Sequence, residues 1–172
     1  METRTIHAIP VRAIRPSRWQ ARERFDSDSL LSLAESIWRV GLLNPPLMFA
    51  VDETGAPYDV SARTPPRYEI IAGERRVRAL IAVYWSELDP DLDLAAAVQV
   101  LAGSLDWSQL ADLLPPSAWT IRSYLETDPD LHRLHRLAVV GAADRTVGPI
   151  DLHNHFGLFA VVLLGGRYQR RF

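Results

Sequence analysis

Gly73 and Glu74 are followed directly by Arg75, Arg76 and, two places on, Arg78. Guanidinium forks match phosphate oxygens, two N–H groups to two oxygens. Glycine is the residue that turns freely into positive φ. Ahead of it, Tyr68, Ile70 and Ile71 are strand formers, interrupted only by Glu69. After it, Val77, Leu80, Ile81 and Tyr84 recur at helical spacing. A strand that turns through glycine into a helix aims several unpaired N–H groups at one spot, and the helix dipole adds partial positive charge there. These residues therefore suit a cradle for phosphate or a nucleotide. They suit equally an arginine-rich helix start whose charges pair with Glu74 and other carboxylates. Residue types alone leave both readings open.

The elements that must position this stretch can be read upstream. Residues 6–14 predict a first strand, and Pro10, which lacks an N–H, suits an edge position. A basic loop follows, with Arg15, Arg18, Arg22 and Arg24 around Trp19 and Gln20. It is either an anion-facing loop or a solvated arginine surface. Asp26-Ser27-Asp28-Ser29 is an N-cap cluster that predicts a helix over 28–40. Leu30, Leu33, Ala34, Ile37 and Trp38 form its apolar stripe, and Gly41 closes it. Leu42-Leu43-Asn44-Pro45-Pro46 leads into a strand over 47–51. Residues 52–67 predict a hairpin connection with an elaborated tip and a turn at Gly55.

The wording of the central stretch, Tyr-Glu-Ile-Ile-Ala-Gly-Glu-Arg-Arg-Val-Arg-Ala, resembles the signature of the ParB N-terminal domain of chromosome and plasmid partition proteins. Ile9-Pro10-Val11, Ile14-Arg15-Pro16, Gln20-Ala21-Arg22, Phe25-Asp26 and Gly41-Leu42-Leu43-Asn44-Pro45 follow the family's order. The resemblance is specific over residues 6–84 and weaker to about residue 137. It implies an α+β fold: a small mixed-sheet domain over residues 1–103, a helix-turn-helix-like helical segment over 104–141, and an unassigned tail over 142–172. It implies CTP as the nucleotide, with Mg²⁺ if bound as a triphosphate, at Gln20, Arg22, Gly41, Asn44, Gly73, Glu74, Arg75, Arg76 and Arg78. Asn44 stands where the family usually has Gln, an amide one methylene longer. On an enzyme of this fold, a nuclease or a kinase-like relative, Glu74 would be the catalytic carboxylate. Family members that hydrolyse CTP carry a Glu-Asn-x-x-Arg segment that helps hold metal and triphosphate. None is found between Leu80 and Asp106, so the expected turnover is slow or undetectable. A third reading is a protein-interaction module with a vestigial cradle. DNA is the macromolecular partner the resemblance implies, and a homodimer is compatible with it.

Downstream, Glu87, Asp89, Asp91 and Asp93 form an acidic break that reads as a solvated linker. Residues 97–101 read as a short strand closing the sheet. Residues 107–125 have helix-turn-helix spacing, with Ala111 at the crossing and Ser117 capping a second helix. Ser117, Thr120, Arg122 and Ser123 are then the DNA-contacting candidates, and Ile121 and Leu125 face inward. The turn position usually held by glycine is Pro115, which cannot reach positive φ. A third helix is expected over 130–140. Asp151, His153 and His155 lack further ligands, so no metal site is assigned.

Composition limits the rest. With 48% apolar and 23% charged residues, the 172-residue chain has the makeup of a folded globular protein. A net charge of −2 means that nucleic-acid binding must come from local patches. All 19 basic residues are arginine. The absence of cysteine excludes disulfides, thiolate catalysis and sulfiredoxin chemistry. The longest apolar run, residues 158–164, is far below the ~20 residues needed to cross a bilayer, and no secretion signal is visible. A cytoplasmic location, without membrane association, is the expectation.

Overall fold

A computed structural model of the chain describes residues 5–16, 24–103 and 120–126. All fall in the first of the two units into which the chain divides, Met1–Thr127. The described elements are β1 (Ile6–Pro10), a 3-10 turn (Val11–Ala13), β2 (Ile14–Arg15), α1 (Ser27–Val40), β3 (Leu47–Val51), β4 (Arg67–Ala72), α2 (Glu74–Leu88), α3 (Leu94–Ala102) and β5 (Thr120–Glu126). The class is α+β. The five strands form one mixed sheet in the order β1-β5-β3-β4-β2. The β1–β5 and β3–β4 pairs are antiparallel, and the β2–β4 and β3–β5 pairs are parallel.

Chain connectivity shows that this sheet is rolled. β1 and β2 lie at opposite edges, yet only Val11–Ala13 separates them. Four flat strand spacings would put the edges about 19 Å apart. Three linking residues reach at most about 14 Å. The sheet must curl until its two edges approach. The single strand expected over 6–14 is broken for this reason. Ile9, Val11 and Ile14 all bury their side chains. A strand of period two cannot send both 11 and 14 inward, whereas a 3-10 turn eclipses i and i+3.

Three helices cover one sheet face. Leu30, Ala34 and Ile37 of α1, Val77, Leu80 and Ile81 of α2, and Ala97, Val98 and Leu101 of α3 pack in one core with Ile9, Ile14, Met48, Ile70 and Ile121. Asp26 caps α1 by accepting from the Ser29 N–H at 2.8 Å. Trp38, assigned to the stripe from sequence, is 63% exposed. It lies about 100° around the helix from Ile37, off the buried face. No helix among the described residues is long and apolar enough to cross a membrane.

Two segments differ from the sequence expectation. Residues 97–101 lie inside helix α3 rather than in a strand. Asp93 caps this helix by accepting from the Ala96 N–H at 2.7 Å, and the alanines at 95–97 are the best helix formers. Residues 120–126 are a strand rather than the second helix of a helix-turn-helix. Ile121 and Leu125 fit helical spacing, but Ile121 and Ser123 are buried with Arg122 exposed between them. That is period two, carried by the strand formers Thr120, Ile121 and Tyr124. The expected crossing at Ala111, the cap at Ser117, the third helix, the His153 and His155 pair and the apolar run over 158–164 lie outside the described residues.

The connection between β3 and β4 is ordered by its own polar groups. The Asp52 carboxylate accepts from the Thr54 N–H, the Thr54 hydroxyl and the Ala56 N–H. These donors, the Thr54 hydroxyl foremost, hold its pKa below the usual carboxylate value. A depressed folded-state pKa contributes stability above the unfolded value, and that contribution is lost as pH falls through the folded one. The Thr54 and Ala56 amides are therefore expected to shift and lose protection only below the ordinary carboxylate range, and Asp52→Asn should remove that step from an NMR pH titration.

Candidate functional site

The turn from β4 into α2 is built on Gly73, whose φ of 97° and ψ of 25° are left-handed. A residue with a Cβ resists this conformation. Gly73 is also the N-cap of α2, and no side chain caps the helix. The first N–H to bond within the turn is that of Val77, donated to the Gly73 carbonyl at 3.1 Å. The N–H groups of the preceding turn have no partner inside the helix.

The three arginines divide between two surroundings. Arg75 donates to the carbonyl of Ser29 at 3.2 Å and to the Ser29 hydroxyl, tying the first turn of α2 to the first turn of α1. Arg76 donates to the carbonyl of Asn44 at 2.6 Å and that of Pro45 at 3.3 Å. Its guanidinium lies over Gly73, where an added Cβ would come within 2.8 Å of Nη2. Burial lowers the Arg76 pKa. Neither arginine points into open solvent, and both are held by uncharged acceptors. Among the described residues the ion pairs are Arg39–Glu35 and Arg78–Glu74. Among the described residues neither Arg75 nor Arg76 is paired with a carboxylate.

Arg78 sits in the interior. Its Nε and Nη2 donate to Glu74 Oε1 at 2.9 and 2.7 Å. Its Nη1 donates to the carbonyls of Leu101 at 2.5 Å and Gly103 at 2.9 Å. Its Cζ lies 4.4 Å from the centre of the Phe25 ring. The side chains of Arg78 and Glu74 are 5% and 3% exposed. The carboxylate available for a catalytic role at Glu74 is thus held by Arg78. No group of three metal-ligating side chains is found among the described residues.

The remaining candidates fall in three places. Gly41, with φ 79° and ψ 178°, adopts a conformation essentially restricted to glycine and turns the chain from α1 towards Asn44. Asn44 meets the start of α2 through its carbonyl, not its side-chain amide. The same turn is tied to β5, where the Tyr124 N–H donates to the Pro46 carbonyl at 2.8 Å. Gln20, Arg22 and Ser117 lie outside the described residues. Thr120, Arg122 and Ser123 stand on β5; Arg122 is exposed, and Ser123 is buried and bonded to the Ile121 carbonyl. Ser29, Phe25 and the carbonyls at the end of α3 were not legible as partners. Their links to α2 span 46, 53 and 23 to 25 positions, and backbone acceptors carry no sequence signal.

Substituting Gly73 tests the turn. Gly73→Ala is expected to cost about 1–2 kcal/mol through the left-handed backbone and to push the Arg76 guanidinium off Asn44. Urea unfolding checks the first effect, and the Asn44 and Pro45 environments in an NMR spectrum the second.

The model of the ParB N-terminal domain family matches residues 1–101. The nucleoid occlusion protein of Geobacillus kaustophilus (strain HTA426) is 37% identical over 87 residues, 51% of this chain and 27% of that protein. The nucleoid occlusion protein of Bacillus subtilis (strain 168) is 35% identical over 80 residues, 46% of this chain and 24% of that protein. The chain thus spans about a quarter of the length of these relatives. A crystal structure of the C-terminally truncated chromosome-partitioning protein ParB from Caulobacter crescentus, complexed with CTP-gamma-S, aligns with a TM-score of 0.41 at 18% identity, covering 95% of this chain and 66% of that one. The family model covers more than half of the sequence, including the Gly73–Arg78 stretch, strands β1 to β4 and helices α1 and α2, and the chain belongs to the ParB N-terminal domain family.

Proposed function

We propose that this chain binds a nucleoside triphosphate, CTP, at the start of α2 and acts on DNA as a partition-type protein. One observation carries the reading. Gly73 leaves the helix start without a side-chain cap, and Arg75 and Arg76 flank it on neutral acceptors. Both arginines stay cationic beside N–H groups that want an anion. Had they paired with carboxylates, the cradle would be neutralised. Family membership supports a nucleoside triphosphate as the anion, and a Mg²⁺ that came with it would ride on its phosphate oxygens. Gly41 and Asn44 shape the neighbouring turn.

DNA contact on this reading does not come from a recognition helix over 120–126. Arg122 is the exposed candidate left on β5. A second reading, a protein-interaction module, is favoured by the exposed Trp38, Val40 and Leu43 around the end of α1. Fluorescence titrations with labelled CTP and labelled duplex DNA separate the two. Saturable CTP binding, and DNA binding that weakens steeply with salt, support the first. Failure of both ligands at low salt leaves the interaction module.

A further inference from the structure

Glu74 poses an electrostatic difficulty for an anion site. It is the first residue of α2, in the turn whose N–H groups would meet the ligand. A helix start offers only about half a positive charge, and a full negative charge there cancels it. Glu74 is almost wholly buried, where charges act over distance with little screening. Its carboxylate is met through Nε and Nη2 of Arg78.

Arg78 also joins three helix ends. Its Nη1 caps the carbonyls of Leu101 and Gly103, at the helix end where a cation is favoured. The Phe25 N–H takes the carbonyl between them, Ala102, at 2.9 Å, and the Phe25 ring packs on the guanidinium. Phe25 leads into Asp26, the cap of α1. The start of α2 is thereby fixed against the end of α3 and the approach to α1.

We propose that Arg78 is a positioning residue for the anion site and not one of its ligands: it cancels the Glu74 charge at the start of α2. The proposal rests on the triphosphate reading above. Its signature is compensation. If Arg78 acts by neutralising Glu74, removing both charges restores what removing Arg78 alone destroys. If Arg78 touches the phosphates, no change at Glu74 can replace it.

The test is equilibrium binding of CTP and of inorganic triphosphate, by calorimetry, to the full chain and to Arg78→Met, Glu74→Gln and the double variant. Arg78→Met is expected to weaken binding at least about tenfold, since it leaves a carboxylate charge near the ligand. Glu74→Gln leaves the Arg78 charge uncompensated and should bind at least as tightly as the parent, while the double variant should stay within about threefold of the parent, because a neutral pair of similar volume is tolerated in an interior. A double variant as weak as Arg78→Met overturns the proposal while leaving the triphosphate reading intact. If Arg78→Met does not fold, the double variant decides alone: within about threefold of the parent supports the proposal, and a tenfold loss overturns it. No triphosphate binding by the parent overturns both.

Discussion

Arg78→Ala is expected to lower folding stability by about 3–5 kcal/mol, the scale of breaking a buried pair from one side. Three losses combine. The buried Glu74 carboxyl loses the guanidinium that met it. The carbonyls of Leu101 and Gly103 lose their donor at the end of α3, and a deprived buried polar group costs about 1–3 kcal/mol. The Phe25 ring loses the cation packed on it, and truncation leaves a void among core side chains. Urea unfolding followed by tryptophan fluorescence gives the number. A loss below about 1 kcal/mol would mean that the pair does not hold the helix ends together. Hydrogen exchange adds a local check, since the α3 amides near Leu101 should open before those in the middle of α2.

Arg76→Ala should leave the fold in place and weaken triphosphate binding by about 1.5–3 kcal/mol, the scale of hydrogen bonds to a charged group, or roughly 10- to 150-fold. The two arginines differ because their surroundings differ. Arg76 is half-buried and holds backbone carbonyls of a turn, so water can replace it when it is removed. What is lost is a cation beside the uncapped helix start. The loss should shrink as salt rises, because screening weakens the interaction in the parent as well. Calorimetric titration at two salt concentrations measures both. Unchanged affinity in Arg76→Ala would take Arg76 out of the site and leave Arg75 as the cation at the start of α2.

The sequence by itself determined the local grammar. Asp26 as a cap, Gly41 as a stop, the strand over 47–51 and the strand–Gly73–helix turn were all legible, because each depends on residues within about four positions of one another. The Glu74–Arg78 pair was open to the same reading, since residues four apart share a helix face. The family signature carried the fold class, as its motifs run in order across the first half of the chain.

Only the tertiary structure decided where the arginines went. Arg75, Arg76 and Arg78 are alike in sequence, yet two rest on neutral acceptors at the helix start and one enters the core, because α3 brings its terminal carbonyls to Arg78. It also decided the sheet. Residues 97–101 and 120–126 exchanged their expected helix and strand. Each apolar pattern is too short to fix its own period, and the choice fell to the partners available. Thr120–Glu126 found β1 and β3 on either side, and Leu94–Ala102 found the faces of α1 and α2 to cover. Burial and pairing set the outcome there, and those are properties of the assembled fold.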